Sequence, residues 1–173
     1  MSSPSTPICH ATPGNAEAGL RILLAEDGAD SAESMALLLR MYGHEVKVAG
    51  DGLTALETAR VYHPDVLLLD IGLPRMDGYE VAKRLRECHC KKRPFIIAVT
   101  GFGMEADLRH SAESGIDLHL VKPVDPEQLQ ALLRRFQGII DADGQHFSAS
   151  TLGDMHADLK ASTESNVERN SVS

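Results

Sequence analysis

Asp70 directly follows the apolar run Val66-Leu67-Leu68-Leu69 and opens the loop Ile71-Gly72-Leu73-Pro74-Arg75-Met76-Asp77-Gly78. A carboxylate at the end of a buried strand, where a Gly- and Pro-containing loop begins, stands where open α/β sheets hold their ligands. Three other apolar runs end in residues with chemistry to offer: Glu26-Asp27 after Leu20 to Ala25, Thr100 after Phe95 to Val99, and Lys122-Pro123 after Leu118 to Val121. Three carboxylates converging in one pocket repel one another unless a cation neutralises them. Mg²⁺ prefers hard oxygen ligands and is usually held by one or two carboxylates together with phosphate, which suits Glu26, Asp27 and Asp70. A metal there screens an incoming phosphoryl group and leaves Asp70 to act as the nucleophile. Lys122 would supply a point charge and Thr100 a hydroxyl donor to the phosphoryl oxygens. Gly72, two residues past Asp70, is placed to offer its backbone carbonyl to the metal.

The elements that must position these residues follow from periodicity. The apolar runs Leu20–Ala25, Glu45–Val48, Val66–Leu69, Phe95–Val99 and Leu118–Val121 read as strands, and their continuous apolarity suits a parallel sheet covered on both faces. Helix signals lie between them. Met35, Leu38, Leu39 and Tyr42 fall at i, i+3, i+4 and i+7 with Gly43 as a stop, and Leu129, Leu132, Leu133 and Phe136 repeat that spacing. Asp125 is a good N-cap for the last helix, with Pro126 at its first position and Gln128 at its third. Asp30 with Glu33, and Asp77 with Glu80, read as capping-box variants. A weakly amphipathic fourth helix is expected around Met104 to Ser114. Five βα units in this length predict an α/β three-layer (βα)5 sandwich of the flavodoxin-like type, with strand order 2-1-3-4-5 and right-handed crossovers.

Composition sets the outer limits. The chain has 173 residues, 43% of them hydrophobic, enough for one buried core. Residues 1–19, rich in Ser, Pro, Thr and Ala, read as a disordered leader without a secretory pattern; residues 20–138 form the domain; residues 139–173 read as a polar acidic tail, expected to be disordered. No apolar stretch approaches the ~20 residues needed to span a bilayer. An odd count of cysteines (Cys9, Cys88 and Cys90) points to a reducing cytoplasm. The net charge is −8, and residues 139–173 carry two basic against six acidic residues, which argues against nucleic acid as a direct partner.

On Glu26-Asp27, the Leu69-Asp70 to Gly78 segment, Thr100-Gly101 and Lys122-Pro123, the chain resembles the receiver domains of two-component response regulators, and the chemotaxis-type single-domain receivers in particular, over roughly Leu20 to Phe136. The resemblance implies a cytoplasmic phosphorelay switch. It would accept a phosphoryl group from a phosphohistidine donor, a histidine kinase or phosphotransferase, onto Asp70 with Mg²⁺. The modified Asp70 would draw the Thr100 hydroxyl inward and repack the face made by the fourth helix, the fifth strand and the last helix. The Lys122-Pro123 bond is expected to be cis. The product of switching would be contact with a downstream protein target, with no DNA-binding output domain, no membrane association, and a monomer or weak dimer. Activity as an enzyme is not expected beyond slow self-phosphorylation and self-dephosphorylation.

One position departs from the family. Three residues before the lysine, where a Tyr or Phe usually swings inward, stands His119. Its imidazole is smaller, polar and titrates near ~6.5 when unperturbed. His119 therefore favours an alternative, a non-switching receiver-like protein-docking module. A phosphatase of the haloacid-dehalogenase kind would need a second Asp two residues after the nucleophile to act as general acid, and Gly72 occupies that position. Cys88-His89-Cys90 resembles half a metal site without a second pair of ligands, and Cys88 is expected to pack with Val81 and Leu85.

Overall fold

The computed structural model describes residues 19–88, 93–101 and 114–143. Five strands, β1 (Arg21–Ala25), β2 (Glu45–Ala49), β3 (Val66–Asp70), β4 (Phe95–Thr100) and β5 (Leu118–Val121), alternate with α1 (Ala29–Met41), α2 (Gly52–Tyr62) and α3 (Gly78–Glu87), and α4 (Pro126–Asp143) closes the order. The strands form one sheet in the order β2-β1-β3-β4-β5, and every pair is parallel. The flavodoxin-like order expected from the sequence is the order found. The helix expected around Met104 to Ser114 lies, up to residue 113, outside the described residues, as do the leader through residue 18, Cys9, Cys90 and residues 144–173.

Burial explains the continuous apolarity of the strands. Val66, Leu67, Leu68 and Leu69 of the central strand are all but inaccessible, because each face of the sheet has its own core. One core joins Ile22, Leu24, Val66, Leu68, Ile97, Leu118 and Leu120 to α1 and α4. The other joins Leu23, Ala25, Leu67, Leu69 and Ile96 to α2 and α3. Each fully buried Leu or Ile contributes about 1.5–3 kcal/mol relative to exposure. Strand alternation therefore sends even-numbered residues of β1, β3 and β5 toward α1 and α4.

The helices are placed by caps and by tertiary packing. The last helix presents Leu129, Leu132, Leu133 and Phe136 to the core as its spacing predicts. The Asp125 carboxylate accepts from the Glu127 N–H at 2.9 Å just before Pro126, and the helix runs on through Gly138 to Asp143, past the boundary expected at 138. Asp77 caps α3 by accepting from the Glu80 N–H at 2.9 Å, whereas the Glu80 side chain turns to Arg84 instead of completing a box.

Three helix expectations are corrected. The N-cap of α1 is Gly28, not Asp30, because Glu26 folds back to accept the Gly28 N–H and the Gly28 carbonyl accepts the first helical bond from Ala32. Asp30 then falls in the first turn, where its charge favours the helix dipole. The buried face of α1 is Ala32, Ala36 and Leu39, with Met35 packed partly against it, while Leu38 and Tyr42 are only half-buried. Small alanines let α1 lie close to the sheet, so the larger residues move to its flanks. Cys88 is not in the helical packing set; it follows the last turn of α3 in an extended conformation and is partly exposed.

Candidate functional site

The site is assembled by the register of the strands. Asp70 pairs with Val99 across β3 and β4, and Thr100 pairs with Val121 across β4 and β5, so the C-terminal ends of these strands lie side by side. Glu26, Asp70 and Lys122 share the phase of Leu24, Leu68 and Leu120, which places all three on the α1 and α4 side of the sheet edge. Thr100 and His119 have the opposite phase, toward the α2 and α3 side.

Each of Glu26, Asp27 and Asp70 brings a carboxylate oxygen within 4.8 Å of the others. Lys122 Nζ donates to Glu26 Oε2 at 2.8 Å and to Asp70 Oδ2, tying the first strand to the third through the end of the fifth. The other Glu26 oxygen takes the Gly28 N–H at 3.3 Å, and the other Asp70 oxygen takes the Gly72 N–H at 2.9 Å. Glu26 and Asp70 are largely buried, Lys122 is about a third exposed and Asp27 faces solvent. Burial alone works to lower the Lys122 pKa, but the hydrogen bonds and charges of Asp70 and Glu26 outweigh it, so the ammonium is held above its ordinary range. A cavity of about 500 Å³ adjoins this cluster, walled by Leu24, Met35, Leu68, Leu120 and Leu129. Such apolar walls keep the ion pairs from full screening.

The backbone completes the arrangement. The Lys122-Pro123 peptide is cis, as expected, and the Lys122 N–H donates to the Thr100 carbonyl at 2.7 Å. The loop after Asp70 is closed at its base by the Gly78 N–H donating to the Ile71 carbonyl at 3.0 Å, and Gly78 approaches so closely that a Cβ there would lie 2.7 Å from the Asp70 carbonyl. The structure thus brings together Glu26, Asp27, Asp70, Gly72 and Lys122, and sets Thr100 in the adjoining ladder position with its side chain on the other face. His119, partly buried, neighbours Ala98 across β4 and β5. Sequence reasoning missed Asp51 and Gly52. Asp51 caps α2 by accepting from the Thr54 N–H at 2.9 Å and its hydroxyl at 2.8 Å, and it pairs with Arg75 of the loop at 3.3 Å. The Asp51-Gly52 dipeptide after β2, with Thr54 three residues beyond Asp51, was the available signal.

The donor set fits a hard divalent cation: three carboxylates at one sheet edge, oxygen ligands throughout. Known proteins agree with this reading of the fold. Residues 22–134 match the family described as the response regulator receiver domain, and the chain belongs to that family. The DNA-binding response regulator MtrA of Mycobacterium tuberculosis is 37% identical over 114 residues, which cover 66% of this chain and 49% of MtrA. The probable histidine kinase 2 of Oryza sativa subsp. indica is 35% identical over 127 residues, 64% of this chain and 12% of that protein. The chain therefore spans about half the length of response regulators such as MtrA. Among solved structures, the receiver domain of the sensor histidine kinase PA1611 from Pseudomonas aeruginosa PAO1, with a magnesium ion coordinated in its active-site cleft, superposes with a TM-score of 0.63 at 32% identity, covering 70% of this chain and 99% of that one. The chemotaxis response regulator CheY4 of Vibrio cholerae superposes with a TM-score of 0.62 at 28% identity, covering 68% and 98%. No helix among the described residues is long and apolar enough to cross a membrane.

Proposed function

We propose that the chain is a phosphorylation-dependent switch in which Asp70 accepts a phosphoryl group from a phosphohistidine on a histidine kinase or phosphotransferase. The observation that carries the reading is the meeting of Glu26, Asp27 and Asp70 within 4.8 Å, with Lys122 bridging Glu26 and Asp70. An Asp70 carboxylate oxygen attacks phosphorus, the new O–P bond forms as the donor's N–P bond breaks, and the leaving imidazole nitrogen takes up a proton. Glu26, Asp27, Asp70 and the Gly72 carbonyl would hold Mg²⁺, which would supply charge neutralisation for the incoming phosphoryl group. Lys122 exchanges its present partner oxygen on Asp70 for a phosphoryl oxygen, and the Thr100 hydroxyl, of opposite strand phase before modification, is drawn inward over the sheet edge to donate to another. With Gly72 where a phosphatase's acid–base carboxylate would be needed, no side chain there activates water, so release of phosphate is slow and the protein signals instead of turning over. The reading places the protein in the cytoplasm, where it acts through a downstream protein.

A second reading has one residue in its favour. His119, in place of a large aromatic ring on β5, suits a docking module that does not switch. Incubation with acetyl phosphate and Mg²⁺, followed by intact-mass analysis, separates the two. The switch reading expects one added phosphoryl group, lost in Asp70→Asn and without metal. If neither phosphoryl uptake nor beryllofluoride binding is seen, the docking module is the better account. A His119→Tyr variant responding to phosphorylation as the parent does across pH 6 to 8 would leave the imidazole no role in switching.

A further inference from the structure

The loop that follows Asp70 is held at both ends, and its far end rests on a different element. Arg75 sits at its tip with φ 68°, a backbone region that non-glycine residues rarely adopt. The turn around it is closed by the Met76 N–H donating to the Pro74 carbonyl at 2.8 Å. That same carbonyl accepts the Gly52 N–H, the first of α2, at 3.3 Å. The first N–H groups of a helix have no partner within it, so the loop satisfies one of them. Gly52 also admits the loop physically: a Cβ there would lie 1.9 Å from the Met76 carbonyl oxygen, closer than any side chain could stand. Arg75 then reaches the Asp51 carboxylate, which is already fixed by both Thr54 donors.

We infer that Asp51, Gly52 and Arg75 form a latch that positions the Asp70–Gly72 segment for the cation, and so sets metal affinity from outside the ligand set. The span is short. Between Gly72 and the latched turn lie only Leu73, which is buried, and Pro74, whose ring fixes φ. A displaced tip is therefore passed to the Gly72 carbonyl and the Asp70 carboxylate instead of being absorbed. The latch is built from α2 and the loop alone and touches none of the three carboxylates. The inference rests on the reading of this site as a Mg²⁺-dependent phosphoacceptor.

Calorimetric titration with Mg²⁺ at 25 °C, beside thermal unfolding of the same full chain without metal, tests it. Gly52→Ala is expected to weaken Mg²⁺ binding about tenfold or more, since the loop carbonyl must move. Gly50→Ala, at a position where a Cβ meets nothing within 4 Å, should leave affinity unchanged. Arg75→Gly keeps the backbone conformation and removes the ion pair. It should weaken Mg²⁺ several-fold while the unfolding temperature holds or rises, and Arg75→Lys should recover most of the affinity. A residue that served stability alone would move the two readouts together. Mg²⁺ affinities of Arg75→Gly and of folded Gly52→Ala equal to the parent's would overturn the latch while leaving the phosphoacceptor reading intact. Absence of Mg²⁺ binding by the parent itself would overturn both.

Discussion

Replacing Lys122 by Met removes the only cation that the structure bonds to both Glu26 and Asp70 among the described residues, and its effects on metal-free stability and on metal affinity should have opposite signs. Lys122 Nζ lies 2.8 Å from Glu26 Oε2 and bonds Asp70 Oδ2 as well, and the two carboxylates are only 11% and 14% exposed. Charge-assisted hydrogen bonds of this kind are worth about 1.5–3 kcal/mol each in protected surroundings. Because Lys122 is itself 35% exposed, screening and its own desolvation reduce the pair to a net of about 2 kcal/mol. Without metal, Lys122→Met should unfold about 8 °C lower, taking ~4 °C per kcal/mol for a domain of this size. Metal affinity should move the other way. A unit positive charge withdrawn from beside the ligand carboxylates is worth about 1–2 kcal/mol to an incoming cation, so Mg²⁺ should bind about 5- to 30-fold tighter. At a hundred times the variant's dissociation constant the ion stabilises the variant by about 2.7 kcal/mol and the parent by about 1–2 kcal/mol, so metal recovers about 1–2 kcal/mol of the deficit. The ammonium is held above 10.5, so its contribution is complete below that value and is lost only as pH rises through the raised one. The metal-free deficit should therefore be constant from pH 6 to 9. Thermal unfolding and calorimetry with and without Mg²⁺ read both effects. A Lys122→Met protein whose Mg²⁺ affinity is equal to or weaker than the parent's would refute the idea that lysine and metal compete for the same carboxylates.

Three further outcomes follow from the packing. His44 is buried, its Nδ1 accepts the Leu20 N–H at 3.2 Å, and burial lowers its pKa below 6.5; stability should fall as pH drops from 6.5 through that lower value, and His44→Asn, which keeps an acceptor without titrating, should flatten the dependence in urea titrations at pH 7 and pH 5. Phe136, 1% exposed and in tilted ring contact with Phe95 at 4.8 Å between centroids, should cost about 3–5 kcal/mol when replaced by Ala, read as a lower urea midpoint with α4 loosened from the sheet. Arg86 ties α3 to the starts of β4 and β5 by donating to the Pro94 carbonyl, the Gly115 carbonyl and Asp117; Arg86→Ala should cost about 2 kcal/mol in the same assay, without change in Mg²⁺ affinity.

The strands and the acidic cluster were legible in the sequence for one reason. A parallel sheet buried on both faces demands unbroken apolar runs, and the first polar residue after each run must lie at the sheet's C-terminal edge. Val66 to Leu69 is such a run, and Asp70 needs no tertiary information to be placed at its end. Glu26 and Lys122 follow by the same logic. Their contact across 96 positions of sequence depends only on strand order, which the count of βα units already suggested. Thr100 shows where the logic thins. Its position at the edge was predictable, but its phase puts the hydroxyl on the face opposite the ion pairs, and a strand end does not say which face a residue serves.

What escaped the sequence reading depends on two elements meeting. Helix α1 was given a plausible stripe through Leu38 and Tyr42, yet it buries Ala32 and Ala36, because the close approach of helix to sheet selects small residues over large ones. Asp30 looked like a cap until Glu26 took the Gly28 N–H and moved the helix start two residues earlier. In the same way Asp51-Gly52 reads as an ordinary turn on its own, and Arg75 as an ordinary surface residue. Only their contact explains why a glycine must begin α2 and why an arginine tolerates a positive φ. The carboxylates that could hold a cation are local features of strand ends, whereas the residues that meet the loop are properties of a contact between segments some twenty residues apart. The latch variants and Lys122→Met thus probe different layers of one site: Lys122→Met changes the charge the cation meets, and Gly52→Ala changes where the oxygens stand. If both act on Mg²⁺ binding, their effects should have opposite signs and should couple instead of adding in the double variant, because Lys122 bonds Asp70 directly and Gly52 reaches the same carboxylate through the loop.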